Sequence, residues 1–152
     1  MSNYKQLLVV AVDLASSNNP SEAALRRSIS TLYYAVFHRL MQLCADALVP
    51  EGQENPAWER VYRSLNHAQP NDQLKKMGKN GSSPFKTFSQ KFETLQIARV
   101  LADYVPLQFP KTQGDVLLQI RENILELEIL ENLTQPQRLA LAVHILIPGA
   151  KR

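Results

Sequence analysis

Residues 25–48 read LRRSISTLYYAVFHRLMQLCADAL, and the spacing of their apolar positions decides the fold. Leu25, Ile29, Leu32, Val36, Leu40, Leu43 and Ala47 recur at steps of three and four, the roughly 3.6-residue period of an α-helix. Tyr33, Phe37, Met41, Cys44 and Leu48 form a second apolar line beside the first. An apolar arc of that width suits a central helix packed on more than one side. The remaining stripe, Arg27, Thr31, Tyr34 and His38, is polar, so this helix has a wet edge as well as a core face.

The flanking sequence extends the same grammar. A first helix is expected over Tyr4–Ala15, broken by SSNNP. Asn19 then caps the central helix, with Pro20 at its first position and Glu22 reaching back. Asn55-Pro56 repeats the start device for a helix over 56–68, and Pro70 stops it. Residues 70–84, PNDQLKKMGKNGSSP, read as a basic flexible loop because Gly78, Gly81, Ser82, Ser83 and Pro84 are turn formers. A helix over Phe85–Tyr104 carries the stripe Phe88, Phe92 and Leu95, and another over 113–133 carries Leu117, Ile120, Ile124 and Leu127. Thr134-x-x-Gln137 is a capping box with Pro136 in its first turn, opening a last helix that ends before Pro148-Gly149. The expected fold is all-α, a single-domain bundle of five to six helices over residues 1–152.

Composition narrows the function classes. The chain has 152 residues, 45% of them hydrophobic, which is enough for one sizeable core and too apolar for a disordered chain. No apolar run approaches the roughly 20 residues that span a bilayer, so no membrane partner is expected. The N-terminal apolar stretch follows a single Lys and contains Asp13, so it reads as a helix and not as a signal peptide. One cysteine, Cys44, permits neither an internal disulfide nor a cysteine-cluster zinc site, and its place on an apolar line marks it as packing. A reducing, cytoplasmic location fits this. The net charge of +3 is mild. The GKNGSSP segment lacks phosphate-loop spacing, and there is no GxSxG elbow or HExxH zinc motif.

Residues 56–68 hold the candidate chemistry. Trp58, Val61, Tyr62, Leu65 and Ala68 fall on one side of a helix, and Arg60, Arg63, Ser64 and His67 on the other. Two guanidinium groups and an imidazole on one ridge suit a phosphodiester: arginine donates paired hydrogen bonds to phosphate oxygens, and histidine moves protons near neutral pH. Such chemistry needs no metal or other cofactor. The same pattern also describes an ordinary solvated helix face. Arg99 and Asp103, at i and i+4, read either as a partly buried ion pair holding helices together or with Arg99 pointing into the same cleft as His67. Tyr34 and His38 read either as a hydrogen-bonded boundary pair or as a groove wall on which a base could stack. His144 reads as a satisfied core or boundary histidine.

Three strings, RRSISTLYYAVFH (26–38), RVYRSLNH (60–67) and FETLQIARVLADY (92–104), resemble segments of bacterial HEPN domains (higher eukaryotes and prokaryotes nucleotide-binding). Active HEPN proteins pair an Arg with a His after four to six intervening residues, in a metal-independent ribonuclease site shared by two subunits. Arg60 and His67 meet the outer spacing; Arg63 and His67 are one residue too close. The family often places a polar residue after the Arg, where this chain has Val61. The resemblance implies a metal-independent endoribonuclease of the defence or toxin–antitoxin type, with Arg60, Arg63 and His67 as catalytic residues. Tyr34, His38, Lys75, Lys76, Lys79 and Arg99 are the expected substrate contacts. It also implies a homodimer, RNA or a nucleotide as ligand, and a separate antitoxin or nucleotidyltransferase partner. The alternative is a non-catalytic module of the same fold that binds a nucleotide or a protein.

Overall fold

The computed structural model describes residues 3–64, 70–79 and 84–147. These residues form seven helices and no strand: α1 (Asn3–Ser16), α2 (Glu22–Leu48), α3 (Pro56–Ser64), α4 (Pro70–Lys79), α5 (Phe85–Tyr104), α6 (Gln113–Glu131) and α7 (Gln135–Leu146). The all-α expectation holds, with seven helices among the described residues against the five to six read from periodicity. No helix among the described residues is long and apolar enough to cross a membrane.

The additional helix is α4, where the glycine- and lysine-rich sequence reads as a loop. Three local features favour the helix over the first part of that segment. Pro70 opens it with a preset φ, and Asp72 lies in the first turn, where a carboxylate meets the positive end of the helix dipole. Leu74 is completely buried and anchors the turn, and α4 lies against α7. His144 on α7 closes that contact, its Nε2 lying 2.8 Å from the carbonyl oxygen of Gln73. This is the satisfied boundary histidine expected from sequence.

The caps explain where helices begin. Asn55 Oδ1 accepts from Ala57 N at 2.9 Å to start α3, and the Thr134–Gln137 capping box starts α7, both as expected. The start of α2 differs. Ser21, not Asn19, is the cap: its Oγ accepts from Ala24 N at 3.1 Å, while Asn19 takes a left-handed turn conformation (φ 52°). Helix α6 has a reciprocal cap of its own, Thr112 N donating to Asp115 Oδ2 at 2.9 Å and Asp115 N to Thr112 Oγ1 at 3.2 Å.

The chain packs as two compact units, one formed by Met1–His38 with Lys91–Glu128 and the other by Arg39–Gln90 with Ile129–Arg152. In the first, Ile29, Leu32, Val36, Phe92, Leu95, Val116 and Ile120 are buried. Each such side chain contributes about 1.5–3 kcal/mol by leaving water. Ser28 is buried among them and remains satisfied, donating from Oγ to Ala11 O at 2.7 Å. In the second unit, Leu40, Leu43, Phe88, Leu130, Leu141 and Ile145 are buried, and Arg39, itself buried, pairs with Glu131 at 2.6 Å. Ala45, Val49 and Trp58 form a cluster there, flanked by Leu48, Val61 and Tyr62. Trp58 also donates from Nε1 to Asp46 Oδ1 at 2.8 Å, which fixes the rotation of α3.

Cys44 is fully buried in this second unit, and burial pushes its thiol up to about 12. The thiolate is then scarce at neutral pH and out of reach of solvent. A disulfide reagent is expected to label the folded chain far more slowly than the chain in guanidinium, where one thiol per chain reacts at once. Rapid labelling of the native protein would contradict the packing of Cys44.

Candidate functional site

Helix α5 ends on a charged clamp supplied by α2. The last carbonyls of a helix lack intrahelical donors and need partners from elsewhere. Arg26 provides them: Nη1 donates to Leu101 O (3.0 Å), Ala102 O (3.0 Å) and Val105 O (2.9 Å), and Nη2 donates to Leu107 O. Glu22 steadies the guanidinium from one helical turn back, accepting from Nε at 3.1 Å and from Nη2 at 3.0 Å. The same Glu22 oxygen accepts from Phe109 N at 2.8 Å, and the Arg26 guanidinium lies 5.1 Å above the Phe109 ring. The Phe109 amide, with Arg26 second, holds the Glu22 carboxyl below its ordinary range.

Beside this clamp, α2 and α5 form an open cleft of about 430 Å³. Ala23, Arg26, Arg27, Ser30 and Tyr34 line it from α2, and Arg99, Ala102, Asp103 and Tyr104 from α5. The spacing of Arg27 and Tyr34, two helical turns, puts both on the polar edge of α2. Arg99 and Asp103 face each other across one turn of α5, Nε to Oδ2 2.8 Å, with side chains 19% and 18% exposed. That contact is an ion pair without hydrogen-bond alignment. Ser30 Oγ donates to the same Asp103 oxygen at 3.1 Å.

Three phenol rings surround Arg99. Its guanidinium carbon lies 5.1 Å from the Tyr33 ring, 5.5 Å from Tyr34 and 5.1 Å from Tyr104, within cation–π range. Nη2 also donates to Tyr34 Oη (2.9 Å) and Tyr104 Oη (3.3 Å). Tyr33 packs in turn on Phe92, ring centres 5.8 Å apart, and stacks on Phe37 at 6.0 Å. Burial works to lower the Arg99 pKa, but Tyr34, Tyr104 and Asp103 outweigh it and hold the pKa above its ordinary value. Burial likewise raises the Tyr33 phenol. With three arginines against one aspartate, the lining favours an anion.

The expected site residues fall into separate groups. Tyr34 and Arg99 meet in the cleft, and Arg99 is the ion-paired residue of the first sequence reading; His67, whose cleft it was expected to share in the second, lies outside the described residues. His38 is half-buried and is not among the lining residues. Arg60 and Arg63 are exposed on α3, on the side away from Trp58, as the helical spacing predicts. Arg63 is ion-paired with Glu59 at 2.8 Å, whereas the Arg60 side chain has no partner among the described residues. On α4, Lys75 is half-buried and Lys76 exposed. His67 and the Lys79 side chain lie outside the described residues and side chains. Arg27, Asp103 and Tyr104 join the cleft although the sequence reading did not name them as site residues. The polar stripe on which Arg27 shares a face with Tyr34 was the signal for the first.

His38 has a pH signature. Burial lowers its pKa from 6.5 because the charged ring loses hydration. The unfolded chain therefore takes up this proton first as pH falls below about 6.5, and the folded state loses stability down to the folded pKa. Above that window the ring is neutral in both states and contributes no slope. The urea midpoint is expected to fall between about pH 7 and pH 5, and to fall less in a His38→Gln variant. Equal slopes for the two proteins would place the responsible protons elsewhere.

No family model, curated protein or solved structure matches the chain.

Proposed function

We propose that this protein is a HEPN-like endoribonuclease that works without a metal ion and as a homodimer. One observation supports the reading above the others. Two of the strings that carry the HEPN resemblance, 26–38 and 92–104, are far apart in the chain, yet they supply nearly the whole lining of a single cationic, tyrosine-bearing cleft. Phosphates suit its guanidinium groups, and bases suit exposed phenol faces.

In the proposed reaction the RNA 2′-oxygen attacks the adjacent phosphorus and the bond from phosphorus to the 5′-oxygen breaks. The products are a 2′,3′-cyclic phosphate and a 5′-hydroxyl. His67 makes one of the two proton transfers, from the 2′-hydroxyl or to the leaving 5′-oxygen, and water makes the other. Arg60 stabilises the charge that builds on the phosphoryl oxygens. Lys75, Lys76 and Lys79 hold flanking phosphates, which makes binding salt-sensitive. Any antitoxin or nucleotidyltransferase partner is a separate chain. Incubating the purified protein with RNA in EDTA tests the proposal: cleavage is expected to persist in EDTA and to fall about 10²–10⁴-fold in His67→Ala. Undiminished cleavage by His67→Ala removes this mechanism.

A second reading, nucleotide binding without turnover, is favoured by the engagement of Arg63 with Glu59, which leaves one free arginine on the α3 ridge among the described residues. It predicts a higher melting temperature with nucleotide and no change in the RNA.

A further inference from the structure

The cationic groups of the α2–α5 cleft are not equivalent, and their prior commitments define what the cleft can take. Arg26 spends its donors on four backbone carbonyls and Glu22. Arg99 is neutralised by Asp103 and enclosed by Tyr33, Tyr34 and Tyr104. Arg27 alone among the lining arginines is exposed and has no partner among the described residues. One uncommitted guanidinium matches one phosphate group, bound through paired hydrogen bonds.

The tyrosines supply the rest. Tyr104 is 66% exposed and Tyr34 41%, which is unusual for large rings and leaves each open to stacking. Both phenol oxygens accept from Arg99 Nη2, so the rings are held in place before any ligand arrives. A pre-positioned ring loses little freedom on binding. Because each oxygen acts as acceptor toward Arg99, its own O–H remains to donate outward, toward a ribose or phosphate oxygen. The cavity of about 430 Å³ lies in the range of small-ligand pockets, about 300–1,000 Å³.

We infer that this cleft is a binding site for a single phosphorylated nucleoside, with the phosphate on Arg27 and the base stacked on Tyr104 and Tyr34. The inference rests on the reading that the protein handles nucleotides. It assigns to the cleft a ligand and a set of contacts distinct from the proposed chemistry of Arg60 and His67. The ligand chemistry is the same for a free mononucleotide and for the phosphorylated end of an RNA chain.

Calorimetric titration of the full chain with AMP tests it. AMP is expected to bind at least tenfold more tightly than adenosine or inorganic phosphate, because each of these offers only one of the two contacts. Arg27→Ala and Tyr104→Ala are each expected to weaken AMP at least tenfold while the melting temperature changes little. A 5′-phosphorylated oligoribonucleotide that displaces AMP, when its 5′-hydroxyl counterpart does not, identifies an RNA end as the source. Failure of both to displace it identifies the free nucleotide. The inference is overturned if AMP does not bind, if Arg27→Ala binds it as the parent does, or if phosphotyrosine binds more tightly than AMP. RNA cleavage that depends on His67 in a protein blind to AMP removes the cleft assignment and leaves the nuclease reading. Binding of AMP through Arg27 with no cleavage does the reverse.

Discussion

Arg26→Ala is expected to destabilise the protein by about 3 kcal/mol, within the range for losing charge-assisted hydrogen bonds at a partly buried site. The guanidinium serves carbonyls at the end of α5 and in the link that follows, and its side chain is only 19% exposed. Alanine leaves those oxygens without their donor and removes the cation over Phe109. Water will satisfy some of them, which keeps the loss below a sum over individual bonds. Lysine is no remedy: an ammonium is a point donor and cannot span carbonyls arranged around a planar fork. Arg26→Lys is therefore expected to recover less than half of the loss in urea denaturation. A loss under about 1 kcal/mol for Arg26→Ala would mean that the last turn of α5 is satisfied by other means.

On the proposed ribonuclease reading, the largest effects on activity are expected at Arg60 and His67, with Arg63 set apart from them. If Arg60 stabilises phosphoryl charge, Arg60→Ala lowers kcat about 10²–10³-fold, the usual loss for removing one preorganised donor. If His67 moves the proton, as proposed, His67→Ala lowers it about 10²–10⁴-fold. Arg63→Ala should cost far less, because Arg63 is ion-paired with Glu59 on the same exposed helix face. Exposed pairs of that kind contribute about 0.3–0.5 kcal/mol to stability, so folding should hardly change. Rates measured in EDTA for the three variants decide the matter. An Arg63→Ala loss as large as that of Arg60→Ala would show that the ion pair opens during the reaction and that the shorter spacing is the functional one.

Much of the architecture was legible because it is local. The apolar lines of residues 25–48 depend on helical period alone, and Ile29, Leu32, Leu40, Leu43 and Cys44 are all fully buried. The caps at Asn55 and Thr134 involve partners two or three residues away, so their motifs could be read directly. Where two local signals competed, reading was less secure. Asn19-Pro20 reads as the start of α2, but Ser21 takes the capping role, and Glu22, expected to reach back, is engaged by Phe109 and Arg26 instead. Thr112-x-x-Asp115 was a readable capping pattern that periodicity of the following helix overshadowed. In residues 70–79, turn-forming composition pointed one way and the burial of Leu74 the other.

The candidate site was legible only in fragments. Arg27 and Tyr34 share a helical face, and Arg99 and Asp103 share another, so each pair follows from spacing within its own helix. That the two pairs line one cleft does not follow, because it depends on how α2 and α5 approach. The carbonyl acceptors of Arg26 lie 75 to 81 positions further along the chain, and nothing near Arg26 encodes them. By itself, then, the amino-acid sequence determined the helical class, the buried lines and several helix starts, since each is set by interactions within a turn or two. Tertiary structure added the burial of Leu74 that holds residues 70–79 helical, gave Arg26 its distant carbonyl acceptors and Arg99 the Tyr34 oxygen, and left Arg27 open beside two exposed tyrosines. Those outcomes depend on distant groups competing for the same charge and the same space.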